Sequence, residues 1–228
     1  MRAGKSGAPH RGQIKSRERV RDLAEVYTHQ REVDAMLGLV PDMFPSEDDP
    51  SNTDKKFLEP ACGSGNFLEE ILQRKLRFVT TRRYGSGERY EHRILRCLAS
   101  IYGVDISHEN VDESCDRLRA VINSHLDNDL NTKVVSAGFA SAVEEILASN
   151  IIRADTLTDA ATIRLIDYRA GRAGTFTREW SYLDPAANEP DLFSLLEMSR
   201  DSEPVHYSVL SEHPLPVMVG TRREWEGE

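Results

Sequence analysis

Three features of this sequence have the residue types and spacing to hold a small polar ligand. The first is the turn Gly63-Ser64-Gly65, with a short apolar run before it and a helical pattern after it. Glycines let a backbone bend sharply and let a ligand approach closely. A helix that opens there presents free N–H groups and the positive end of its dipole. The second is Asp105, which closes the run Ile101-Tyr102-Gly103-Val104. An acid at a strand end, beside such a turn, can accept hydrogen bonds from both hydroxyls of a ribose. The third is Asp155, after Ile151-Ile152-Arg153-Ala154, placed to accept from an adenine amino group. Taken singly, either acid is also what a helix cap or a loop carries. Together the three describe a nucleotide-like crevice beyond the ends of parallel strands.

Several other chemistries do not fit. Leu68 stands where a dinucleotide fingerprint needs its third glycine, and the acid lies 40 residues after Gly65 rather than about 20. No Gly-Lys-Ser/Thr follows the turn, so it is not a P-loop. Cys62 and Asn66 occupy the positions where a nucleophile elbow around Ser64 needs glycine. Cys62, Cys97 and Cys115 are far apart, and no cysteine–histidine cluster has zinc spacing, so no metal is expected.

The elements that must position these residues follow from periodicity. Residues 1–18 read as a disordered basic arm. A helix is predicted over 19–39, ended by Pro41 and Pro45. A strand over 55–59 leads into the glycine turn, and the next helix buries Phe67, Leu68, Ile71, Leu72, Leu76 and Val79. A loop over 80–87 precedes a helix over 88–99 and a strand over 100–106. Ser107 opens a helix with Val111, Cys115, Leu118 and Ile122 at helical spacing, and another helix covers 136–148. A third strand runs over 151–155. This alternation predicts a parallel α/β sheet with covered faces. Beyond it, 162–168 and 175–183 read as two strands, Asp191 to Arg200 as a short helix, and the proline-bearing tail as irregular or an edge strand. Trp180, Tyr182 and Phe193 are read as hairpin core rather than as base-stacking residues.

The stretch Leu58-Glu59-Pro60-Ala61-Cys62-Gly63-Ser64-Gly65-Asn66-Phe67-Leu68 resembles the first cofactor motif of the N6-adenine DNA methyltransferases of restriction–modification systems. The family's pattern is close to D-P-A-C-G-S-G-x-F-L, and Glu59 replaces the usual Asp. The likeness extends to Ile101–Ile106 as the second motif, to Asn150–Asp155 as the third, and to Glu25-Val26-Tyr27-Thr28 upstream, where His29 replaces the family's proline. It spans about residues 23–157, including the long helical insertion before the second motif.

The resemblance implies a Rossmann-like S-adenosylmethionine (SAM)-dependent methyltransferase fold, α/β, with a mostly parallel sheet and helices on both faces, possibly truncated. It implies a SAM-binding domain over 19–165 and a C-terminal extension over 166–228. Glu59, Pro60, Ala61, Gly63 and Gly65 would border the methionine part of SAM, with Thr28 nearby. Asp105 would hold the ribose, Ile106 would pack on the adenine, and Asp155 would take its amino group, leaving Cys62 a buried packing residue. DNA is the substrate implied.

The family's [N/D]-P-P-[Y/F] catalytic motif is the missing part. None of the ten prolines is adjacent to another, and Asp184-Pro185-Ala186-Ala187 is the nearest fragment, which makes Asp184 the sole catalytic candidate. The alternatives are a catalytically silent SAM-binding subunit with a protein partner that supplies recognition or catalytic parts, and a methyltransferase acting on RNA, protein or a small molecule. Net charge is −9, with +6 over residues 1–21 and −15 over the rest. An acidic body is a poor general surface for phosphate backbones, whereas the basic arm suits them. No apolar run reaches membrane-span length and no signal peptide is evident, so a cytoplasmic location is expected and no membrane partner.

Overall fold

The computed structural model describes residues 28–130, 135–183 and 200–216. Helix α1 (Gln30–Leu37) buries Val33 and Leu37, one turn apart. It ends at Gly38, just before Pro41, and a 3₁₀ turn Pro41–Met43 follows. Residues 19–27 of the longer predicted helix lie outside the described residues. Strand β1 (Phe57–Glu59) starts two residues later than its sequence pattern. The reason is Lys75, whose buried Nζ takes the carbonyls of Thr53 (2.9 Å) and Lys55 (2.6 Å) and so removes them from the ladder.

After the glycine turn, α2 (Asn66–Leu76) buries Leu68, Ile71, Leu72 and Leu76 as its spacing requires. The predicted loop over 80–87 contains a single-turn helix, α3 (Thr81–Tyr84), with Thr81 N–H donating to Asp129 Oδ2 (2.6 Å). Helix α4 (Glu88–Ala99) keeps its predicted bounds. Strand β2 (Ile101–Asp105) is buried throughout, and the 23-residue helix α5 (His108–Leu130) follows. Helix α6 (Ala137–Asn150) is capped by Ser136, whose Oγ accepts from Phe139 N–H, and leads into β3 (Ile151–Arg153).

Strands β1, β2 and β3 form a parallel sheet in that order, with Phe57 opposite Ile101 and Asp105 opposite Arg153. Parallel strands need helical crossovers, which α2 through α6 provide. The remaining strands correct the expectation of one mostly parallel sheet with helices on both faces. Strands β4 (Arg164–Ala170) and β5 (Thr175–Tyr182) pair antiparallel, and β6 (Val205–His206) adds to β5, making a second three-stranded sheet. The turn between β4 and β5 is too short for a crossover, so the chain can only return antiparallel. It reverses through Ala173 and Gly174, both at positive φ.

Side chains alternate across β2. On one side, Gly103 lies against Leu68 of α2 and against Cys62. On the other, Tyr102 and Val104 pack with Ile163 and Leu165, so part of this face is covered by the hairpin and not by a helix. The second sheet shares the main core. Ile166, Tyr168, Phe176, Val205, Tyr207 and Leu210 belong to the same buried cluster as α1, α2, α4, α5 and α6. Asn150, the last residue of α6, ties that helix to β4, its Oδ1 accepting from Ile166 N–H (3.1 Å). Trp180 packs against this cluster and donates Nε1–H to Pro216 O (2.8 Å), while Arg164 stacks on Tyr182. Phe193 and residues 191–199 of the predicted helix over 191–200 lie outside the described residues, while Arg200 forms an isolated antiparallel bridge with Glu179 rather than a helical turn. Among the described residues, no helix is long and apolar enough to cross a membrane, and no group of histidine, cysteine, aspartate and glutamate side chains is arranged to hold a metal ion.

Candidate functional site

The strands β1, β2 and β3 end on one edge, and the sequence-predicted residues collect there. The turn after β1 is anchored on both sides: Cys62 N–H donates to Val104 O (2.9 Å), and Gly65 N–H to Cys62 O (2.9 Å). Gly63 has φ +53° and Gly65 φ +86°, the left-handed region that glycine enters without strain. The two glycines serve different ends. A Cβ on Gly65 would sit 2.8 Å from Ser114 Oγ, so this glycine permits close packing of α2's start on α5. A Cβ on Gly63 would meet nothing within 4 Å, so the backbone there faces open space.

Asp105 is almost fully buried, 8% exposed, at the end of β2. Its carboxylate binds the turn directly, with Oδ2 accepting from Gly63 N–H at 2.8 Å. Oδ1 accepts from Ser107 N–H (2.9 Å) and Asn110 Nδ2 (3.0 Å). A carboxylate has about four acceptor positions, two per oxygen. Three are occupied, and the one left is on Oδ2, beside Gly63. One ribose hydroxyl can donate there with no rearrangement. A second requires Asn110 or Ser107 to give way.

The other residues surround this pair. Glu59 Oε1 accepts from Ala61 N–H (3.3 Å), and Pro60 O accepts from Thr156 Oγ1 (3.1 Å), which draws the β3 loop over the β1 loop. Ile106 is 47% exposed, and its carbonyl accepts from Arg153 Nε (3.1 Å). Asp155 Oδ1 accepts from the backbone N–H of Leu157 (2.9 Å) and Thr158 (3.3 Å). Those backbone bonds hold its carboxyl below the ordinary carboxylate range, the Leu157 bond foremost. Thr28 O accepts from Asn66 Nδ2 (3.4 Å), so the start of the described chain touches the first residue of α2. Asp184 lies outside the described residues. Cys62 is buried, and burial pushes its thiol up to about 12, with Asp105 and Glu59 nearby adding to the effect, which disfavours the thiolate form.

One face of α5 also belongs to the site. Asn110 holds Asp105, Ser114 Oγ donates to Gly63 O (3.0 Å), and Arg117 Nη1 donates to Asn66 Oδ1 (2.9 Å) and Glu69 Oε2 (3.0 Å). These positions are spaced i, i+4, i+7, one helical stripe. The sequence signal was present as a polar stripe beside the apolar Val111, Cys115, Leu118 and Ile122, but nothing local says that it faces the glycine turn.

A groove of about 370 Å³ lies elsewhere, lined by residues that include Asp54, Lys56, Arg96, Ser100 and Asp167. It sits where β1 and β2 begin, not where they end. Its charges neutralise one another, Lys56 with Asp167 (2.7 Å) and Arg96 with Asp54. It therefore offers little to a ligand. Compared with known proteins, no family model, no curated protein and no solved structure matches the chain.

Proposed function

We propose that the crevice at the ends of β1, β2 and β3 binds SAM and that the chain is a SAM-dependent DNA methyltransferase of the adenine-N6 type. The observation that carries this reading is the bond from Gly63 N–H to Asp105 Oδ2 at 2.8 Å, which joins the glycine turn to the strand-end acid. Open space above Gly63 leaves room for a ligand backbone. The charge also supports the reading. Glu59, Asp105 and Asp155 set three carboxylates around the mouth, which favours a cationic sulfonium over the diphosphate of a dinucleotide. Within this reading Asp105 Oδ2 accepts from the ribose, Ile106 offers an apolar surface to the adenine, and Thr28 with Gly63 and Gly65 borders the amino-acid end.

SAM supplies an electrophilic methyl group on its sulfonium. The chain's own task is to orient that group and to exclude water, since in-line transfer to an exocyclic nitrogen relies on positioning and polarisation rather than on a covalent enzyme intermediate. Asp184 is the one residue proposed to polarise the target amino group. The lack of any Pro-Pro pair favours a second reading, a SAM-binding subunit whose partner supplies the catalytic loop.

Calorimetric titration with SAM, followed by incubation with radiolabelled SAM and unmethylated mixed-sequence DNA, separates these readings. Binding with label transfer supports the methyltransferase. Binding without transfer supports the subunit, or a methyltransferase with a different acceptor, and no binding overturns the SAM site.

A further inference from the structure

We propose that the connection between α2 and α4, with the first turn of α4, is a second functional surface, which grips the phosphate backbone of DNA through Arg77, Arg82, Arg83 and Arg89. Between residues 74 and 96 this acidic chain carries eight lysines and arginines against two glutamates. The structure divides these bases into two groups. Arg74 is neutralised by Asp34 and Glu70, Arg93 and Arg96 by Asp54, and Lys75 is buried. Arg77, Arg82, Arg83 and Arg89 are exposed, and none pairs with a carboxylate among the described residues. In the body of the chain, Arg117, Arg119, Arg169 and Arg178 are each tied to an acid. Arg31, Arg153 and Arg172 also lack a carboxylate partner among the described residues, but they are scattered along the chain, whereas these four guanidinium groups are concentrated in thirteen residues.

Their chemistry suits phosphate. All four are arginines, whose planar forks bind phosphate oxygens in pairs and shed water more readily than lysine. Their mounting is rigid. Thr81 donates its N–H to Asp129, and Arg93 stacks on the Tyr84 ring at 4.9 Å, so α3 is fixed between α4 and α5. An anionic membrane is the less suitable polyanion. Surface-binding segments insert large apolar side chains, and none of the exposed large hydrophobics lies between residues 77 and 89.

The location is distinct from the crevice. Helix α5 begins beside Asp105 and reaches Asp129 next to Thr81, about 30 Å away at 1.5 Å per residue. A duplex held at the arginines must run along the molecule for roughly nine base pairs to reach the crevice. The surface thus anchors DNA and does not handle the target base. The choice of DNA among nucleic acids rests on the methyltransferase reading; phosphate binding by the arginines does not.

The test uses the full chain and a fluorescent mixed-sequence duplex, titrated across a range of salt by anisotropy. Replacing all four arginines by alanine is expected to weaken binding at low salt by at least about tenfold and to lower the slope of log K against log salt by about 3.6, at roughly 0.9 per lost phosphate contact. The four-lysine variant is expected to keep most of that slope. Circular dichroism and SAM calorimetry on the same samples check the fold and the crevice. An unchanged slope in the alanine variant overturns the proposal. So does complete loss of DNA binding on deleting residues 1–18 alone, or binding to anionic vesicles in place of DNA. Failure to bind SAM with the arginine effect intact overturns the methyltransferase reading and leaves this surface standing.

Discussion

Asp105 has two duties, and its substitution is expected to reveal both. It holds Gly63, Ser107 and Asn110, each through a charge-assisted bond in a buried setting. Asp105→Ala is therefore expected to destabilise the fold by about 2–4 kcal/mol, with three donors left unpartnered. In the folded fraction, SAM affinity is expected to fall about ten- to a hundredfold, the scale of one or two such bonds. Urea unfolding and calorimetry measure the two effects on the same sample. Undiminished affinity in the folded variant would remove the ribose assignment. The glycines separate the same duties. Gly65→Ala strains the backbone at φ +86° and drives a Cβ against Ser114, so it is expected to cost about 2 kcal/mol or more. Gly63→Ala meets no atom, so it is expected to cost about 1 kcal/mol for its backbone and to weaken SAM binding more than folding. Equal effects of the two substitutions on stability and on affinity would contradict this division.

Among the elements, α4 joins the two sheets through buried polar side chains. Glu91 accepts from Ser136 N–H (3.0 Å), from Ser136 Oγ–H (2.6 Å) and from Tyr207 O–H (2.6 Å), so one carboxylate pins α6 and the turn after β6. His92 lies against Phe176 edge-on at 4.7 Å and bonds Thr175 O at 3.1 Å. Burial lowers its proton affinity to about 4, from an ordinary 6.5, with the Arg96 charge as a second cause. Its contribution has a definite sign. The unfolded chain takes up a proton near pH 6.5, while the folded chain resists until about 4. This part of the stability is complete above pH 6.5 and declines as pH falls toward 4. His92→Gln is expected to flatten the dependence across that window, read as urea midpoints at several pH values. An unaltered profile would mean that other groups govern acid unfolding.

For the molecule as a whole, the central question is how the chain after residue 200 is held on the antiparallel sheet. The answer includes a buried ion pair. Arg178, fully buried, donates to both oxygens of Asp201 (3.0 and 3.1 Å) and to the carbonyl of Pro214 (2.7 Å), so it fastens the chain after residue 200 to β5. Asp201→Ala leaves that guanidinium uncompensated and is expected to cost about 3–5 kcal/mol. Because the hairpin shares one core with the helices, the loss is expected to appear as a single cooperative transition, lowered by about 10 °C. Two separate transitions in a thermal scan would show instead that the sheets unfold independently.

The sequence alone determined the local parts of this protein. The strand–glycine–helix unit at Gly63, the ends of α4, the buried stripe Leu68, Ile71, Leu72 and Leu76, and the acids at the ends of β2 and β3 follow from signals within a few residues, where φ preference and side-chain period act. The tertiary structure decided which distant groups meet. The partners of Asp105 come from a turn 42 residues earlier and from its own next helix. The role of Asn110, Ser114 and Arg117 depends on how α5 is rotated against α2. The hairpin on the Tyr102–Val104 face depends on how the two sheets pack, and the Arg178–Asp201 pair on how the chain after residue 200 returns to β5. The division is physical. Backbone conformation responds to immediate neighbours, whereas a carboxylate's remaining acceptor, or an arginine left without a partner, is fixed by all the groups that folding brings within about 3 Å.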